Sequence, residues 1–169
     1  MAILTGIGWI NVLRQWFLIL LFIIEAIAKV YLNREHQFGI VEDHDLYDEI
    51  SQNQRGTALA TASLVFAGLA IILSENPTQY TSQIEVFSAA FGLLLIAAFA
   101  HELTLTYRFV LTLQEMSLEY GLLFIVYGLF LLIADLVPDA APVMLLVFLI
   151  VIGFRFISVK GELEAHYNE

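Results

Sequence analysis

The sequence predicts an all-α, polytopic transmembrane bundle, and three observations carry that reading. Of the 169 residues 60% are hydrophobic and the mean hydropathy is +0.82, well above the roughly 45–50% apolar content of a soluble domain. Only 14% of residues are charged, so the apolar residues gather in long runs. Five such runs recur, each close to the roughly 17–25 residues a membrane helix needs. Strand-like alternation is absent, and backbone groups in lipid must be satisfied within their own segment, which makes each run a helix. The chain reads as one domain, 1–169, with helices at about 9–32, 57–74, 86–116, 118–136 and 142–160 and an acidic cytoplasmic loop at 33–55.

The first segment carries Asn11, Arg14, Glu25 and Lys29 at its two ends, with "WFLILLFII" apolar all round between them. An interfacial helix keeps a continuous polar face. The segment is therefore expected to span, with four spanning helices plus one interfacial helix as the alternative. Glu25 and Lys29 stand four apart in the order that favours a local ion pair. The loop that follows contains "VEDHDLYDEI". Hard cations favour carboxylates, but this string lacks the turn glycine and twelve-residue spacing of an EF-hand. A solvated acidic loop is expected, and no metal site.

The second segment has a different texture. Gly56, Ala60, Ser63 and Ala67 recur at three- and four-residue steps, with Thr57, Thr61 and Gly68 between them. Small residues allow close helix approach in lipid, so this helix either packs centrally or lines a pore with Glu75 at its outer end. The third segment ends in "LIAAFAHELTLTYRFVLTLQEM". His101, Thr104, Arg108, Thr112 and Glu115 follow helical spacing, so the helix is expected to continue past the membrane with a polar stripe. The fourth and fifth segments are joined by "VPDAAP", a link short enough to force an antiparallel hairpin. Asp139 and Pro142 suit the start of the last helix.

If the helices alternate in direction, six of the seven Lys and Arg residues fall on one side. By the positive-inside rule that side, and the C-terminus, are cytoplasmic in the cell's inner membrane. The N-terminus lacks a basic stretch before its apolar residues, so no cleavable signal peptide is expected. The outer layer is then acidic, with Glu75, Glu85, Asp135 and Asp139. An inner layer of mixed charge holds Glu25, Lys29, Arg55, His101, Glu102, Arg108 and Arg155, read as a seam between helices. Glu102 is placed to pair with Arg155 or Arg108. The helix middles hold no ionisable acid or base other than Tyr127, which counts against a proton relay through one subunit.

The formal net charge of −10 makes nucleic acid a poor partner, since phosphates need Lys and Arg. Scarce Lys with abundant acid fits a halophilic archaeon. The chain has no Cys, and no H-E-x-x-H, phosphate loop or G-x-S-x-G occurs, so no enzyme and no cofactor are expected. A small-residue helix ending in Glu75, followed by a helix with His101 inside it, resembles calcium-channel subunits in outline. The spacings differ, so no residue roles follow from that resemblance.

The functional expectation is a homo-oligomeric ion channel or pore-forming subunit in the lipid bilayer, favouring inorganic cations. Its ion-attracting or pore candidates are Glu75, Glu85, Asp135, Thr57, Thr61 and Ser63. The alternatives are a non-catalytic accessory subunit packed against other membrane subunits, and a small transporter with its site between protomers.

Overall fold

The computed structural model describes the backbone of residues 2–32, 44–75, 77–104 and 107–167, and the side chains of residues 16–31, 45–75, 77–104 and 107–161. Among these residues every element is helical: α1 (Ala2–Leu32), α2 (His44–Glu75), α3 (Thr81–Phe99), the short α4 (His101–Thr104), α5 (Arg108–Leu136), a 3-10 turn (Pro138–Ala140) and α6 (Ala141–Tyr167). Four stretches are long and apolar enough to cross a membrane: Asp45–Glu75, Thr81–Phe99, Arg108–Leu136 and Pro138–Gly161. The chain is an all-α transmembrane bundle.

α3 packs against α2 on one side and α5 on the other, and α6 and α1 add to α5. Lipid gives apolar side chains no reason to prefer a neighbouring helix, so close packing of small residues must hold the pairs together. Two glycines of α5 permit this. A Cβ on Gly121 would lie 2.9 Å from Leu94 Cγ, and one on Gly128 would lie 2.8 Å from the Phe87 ring. Between α2 and α3 the contact is made by Ala58, Ala97 and Ala98, all buried. The centre is packed: Leu18, Val86, Ala90, Phe124, Tyr127 and Leu131 form one buried cluster.

α1 runs along the bundle rather than across its end. Trp16 and Ile19 flank a cleft beside Glu85 and Val86 at the start of α3. Further along, Glu25 reaches Tyr120 of α5 and Arg155 of α6. The side chains of α1 therefore meet its neighbours at two levels, while α1 is not one of the four stretches found long and apolar enough to cross a membrane among the described residues.

Two expected boundaries are corrected. The second helix begins at His44 rather than near residue 57, so the C-terminal part of the expected 33–55 loop is helix. Asp48, Ser51 and Arg55 extend it beyond the apolar run, and helical hydrogen bonds cost nothing extra where the chain meets water. Residues 33–43, including Glu42 and Asp43, lie outside the described residues, as does the side chain of Arg14. The third helix does not continue to residue 116. It stops at Phe99, α4 forms one turn, and α5 starts at Arg108 after Tyr107 adopts an extended conformation (φ −132°, ψ 124°). The polar stripe from His101 to Glu115 is therefore a reversal of the chain. Periodicity continued across it because short α4 and the first turns of α5 both keep helical spacing.

The bundle thus has two unlike ends. The α2–α3 and α5–α6 connections lie at one end, which carries Glu75, Glu85, Asp135 and Asp139. The α3–α5 reversal, the start of α2 and the far part of α6 lie at the other, which carries the basic residues Arg55, Arg108 and Lys160.

Candidate functional site

The expected inner-layer seam divides into two separate networks. The first joins α1, α5 and α6. Glu25 is buried, and its carboxylate takes the Lys29 ammonium at 3.3 Å, the Arg155 guanidinium, and the Tyr120 hydroxyl at 2.9 Å, with Tyr120 donating. A second arm of Arg155 pairs with Glu119 Oε2 at 2.7 Å. The guanidinium lies 5.7 Å from the Tyr120 ring centroid, and Phe22 meets that ring edge-on at 5.3 Å. Two acids and two bases sum to zero charge. Tyr120 lies fifteen residues from Asp135 along α5, about 22 Å at 1.5 Å per residue, so the network sits far from the acidic end but within an apolar stretch long enough to cross a membrane. Charges in such a stretch face the bundle and pair with one another, as these do. A mostly apolar cleft of about 200 Å³ opens beside them, lined by Leu18, Leu21, Ile24, Leu123, Ile152 and Phe156.

The second network joins α2, α4 and α5, and its members are His101, Ser51, Thr104 and Gln114. All four are buried. Gln114 Nε2 donates to the Ser51 carbonyl at 3.0 Å, which turns Gln114 Oε1 toward the Ser51 hydroxyl at 2.7 Å. The one proton of Ser51 therefore goes to Gln114. His101 Nδ1 lies 2.8 Å from the same hydroxyl oxygen, so it must carry a proton and donate. Thr104 Oγ1 lies 2.8 Å from Ser51 Oγ and 2.6 Å from the His101 carbonyl oxygen. On the far side of the ring, His101 Nε2 faces Asp48 Oδ1 at 3.8 Å. Asp48 Oδ2 accepts from Gln52 at 2.9 Å. Serine, histidine and aspartate in a row suggest a nucleophile with its base, but here the proton order runs the other way: His101 donates to Ser51, and Ser51 is wholly buried.

The remaining expected residues are placed as follows. Glu102 is exposed at the reversal; Arg155, one of its two expected partners, is engaged instead by Glu25 of α1 and Glu119 of α5. Arg108 is half-buried at the start of α5. Glu75 and Glu85 are exposed at the acidic end, and Asp135 accepts a hydrogen bond from buried Gln83. Thr57 and Ser63 are exposed and Thr61 is half-buried on α2. Each of these hydroxyls donates to a carbonyl one turn back in its own helix, at 3.0, 2.9 and 2.8 Å respectively.

At about 100° per residue, Thr57, Thr61, Gly68 and Glu75 share one side of α2, with Thr57 and Glu75 exposed and Thr61 and Gly68 half-buried. Ser63 stands about 120° from Glu75 on the same helical count. Among the described residues no group of three or more His, Asp or Glu could hold a metal ion.

Sequence reasoning missed Ser51, Gln114, Glu119 and Tyr120. Glu119 and Tyr120 follow Glu115 and Met116 in a segment whose start had been placed at 118, so both looked terminal. Ser51 lay in an expected loop. No protein-family model, curated protein or solved structure matches the chain.

Proposed function

We propose that the chain is a subunit of a homo-oligomeric membrane channel favouring cations, with the pathway running between copies along α2. One observation carries the reading: Thr57, Thr61, Gly68 and Glu75 line one side of α2, from its hydroxyl-bearing part to a carboxylate at the acidic end. The packed centre of the protomer supports placing a path outside it, because Leu18, Phe124, Tyr127 and Leu131 leave no polar route through the described core. Glu85, Asp135 and Asp139 add negative potential at the same end, and such a field raises local cation concentration at a pore mouth. On this reading the basic end and the C-terminus face the cytoplasm of a cell whose inner membrane holds the protein.

The test is ion flux from purified protein in sealed vesicles. Cation flux exceeding anion flux is expected, and Glu75→Gln reduces that preference. Absence of flux across salt and pH contradicts the reading. A second reading, a non-catalytic accessory subunit, is favoured by the Glu25 network, whose charges find their partners within the chain and so serve architecture. Purification from native membranes separates the two, since an accessory subunit arrives with a stoichiometric partner.

A further inference from the structure

We propose that His101 Nε2 is a proton-binding site that clamps the start of α2 to the α3–α5 reversal when this end of the bundle meets acid. The inference stands whether or not α2 lines a pore.

The argument begins with Gln114. Its amide is oriented by the Ser51 carbonyl, and this fixes the Ser51 proton on Gln114 Oε1 and the His101 proton on Nδ1. A neutral imidazole carries one ring proton. With Nδ1 occupied, Nε2 is a bare acceptor, and it faces the acceptor Oδ1 of Asp48 at 3.8 Å. Two acceptors face each other with no hydrogen between them. One added proton resolves this: the imidazolium donates from both nitrogens, to Ser51 on one side and to Asp48 on the other. A charged hydrogen bond of this kind closes to roughly 2.7–2.9 Å, so α2 and α4 draw together by about an ångström. Asp48 is the water-facing member, with 41% of its side chain exposed, so the proton has a route in. Histidine is the side chain suited to such a change near neutral pH.

The surrounding charges leave Asp48 as the partner. α2 carries exposed Asp45 about one turn before Asp48 and Arg55 two turns beyond it, with Tyr47 and exposed Glu49 on either side of it in sequence. α5 contributes uncharged Gln114 at the ring, with half-buried Arg108 and exposed Glu115 nearby in its first turns. α4 itself carries Glu102, which is exposed. The last turn of α3, Ile96 to Phe99, has no titratable group. The Gln114 bond order is what makes the site directional. Were Ser51 free to donate to Nδ1, Nε2 would already hold a proton and pair with Asp48 without any change of charge.

The test uses the full chain in lipid nanodiscs. Nitrogen-15 NMR of the His101 ring is expected to show the proton on Nδ1 alone at pH 8 and on both nitrogens at pH 5.5. Hydrogen exchange of residues 45–56, corrected for the intrinsic pH dependence of exchange, is expected to slow at least threefold between those values. Asp48→Asn removes the slowing. His101→Asn, which keeps a donor toward Ser51 but has no titratable ring, removes it as well. A proton on Nε2 at pH 8, no second proton at pH 5.5, or the same slowing in both variants overturns the proposal.

Discussion

The two buried networks solve one problem in opposite ways. Around Glu25 the polar groups are charged, and four of them cancel across three helices. Around Ser51 the hydrogen-bonded core is uncharged, and satisfaction comes from the order in which single protons are shared. The first lies among apolar side chains of α1, α5 and α6, where an uncancelled charge is expensive. The second reaches the surface through His101, whose ring faces the part-exposed carboxylate of Asp48. The difference teaches where the bundle is rigid and where it can respond: a neutral ion-pair set resists any single change, whereas a chain of shared protons can be reset by adding one.

The comparison predicts a ranking of losses. Glu25→Ala is the most severe, because it leaves Lys29 and Arg155 buried with only Glu119 to offset them. A loss of about 3–5 kcal/mol is expected, the cost of breaking a buried pair on one side, read by denaturant unfolding in detergent. Gln114→Leu costs less, about 1–3 kcal/mol for a buried polar group left unpaired. Part of the loss is recovered, because the freed Ser51 hydroxyl can turn to His101 Nδ1. That turn moves the ring proton to Nε2, and NMR should find it there. An equal loss in the two variants would erase the distinction between the networks.

Gly128→Ala tests the packing between α3 and α5. The new methyl meets the Phe87 ring at 2.8 and 2.9 Å, and overpacking of this kind costs about 1–3 kcal/mol. Its expected loss lies at the low end of that range, since a ring edge can yield more easily than backbone. Glu75→Gln is the mildest. An exposed charge at a helix end alters stability within about 0.5 kcal/mol, while cation preference falls.

Much of this architecture was legible in the sequence. Long apolar runs marked four helices long and apolar enough to cross a membrane, and their order. The i,i+4 spacing of Glu25 and Lys29 announced one ion pair. What composition could not reveal was the reversal at residues 100–107, because His101, Thr104 and Arg108 keep helical spacing straight through it. With that turn read as helix, Ser51 and Gln114 have no reason to meet, and Arg155 and Arg108 stand as equal candidates for Glu102. Pairing across helices depends on which neighbours touch, and a single sequence does not encode this in any local pattern. The i−4 hydroxyl bonds of Thr57, Thr61 and Ser63 were similarly hidden, although they decide that these groups need no partner from another helix.

The central claim is that the Thr57–Glu75 side of α2 borders water along its length. The chain has no cysteine, so single cysteines placed at Thr57, Thr61, Gly68, Ala62 and Val65 report without background. In reconstituted membranes a charged, water-soluble thiol reagent should modify Thr57→Cys, Thr61→Cys and Gly68→Cys, and spare Ala62→Cys and Val65→Cys, whose positions are buried against α3. Protection of Thr61→Cys and Gly68→Cys to the same degree as Val65→Cys would mean that lipid or protein, not water, covers that face, and would contradict the channel reading.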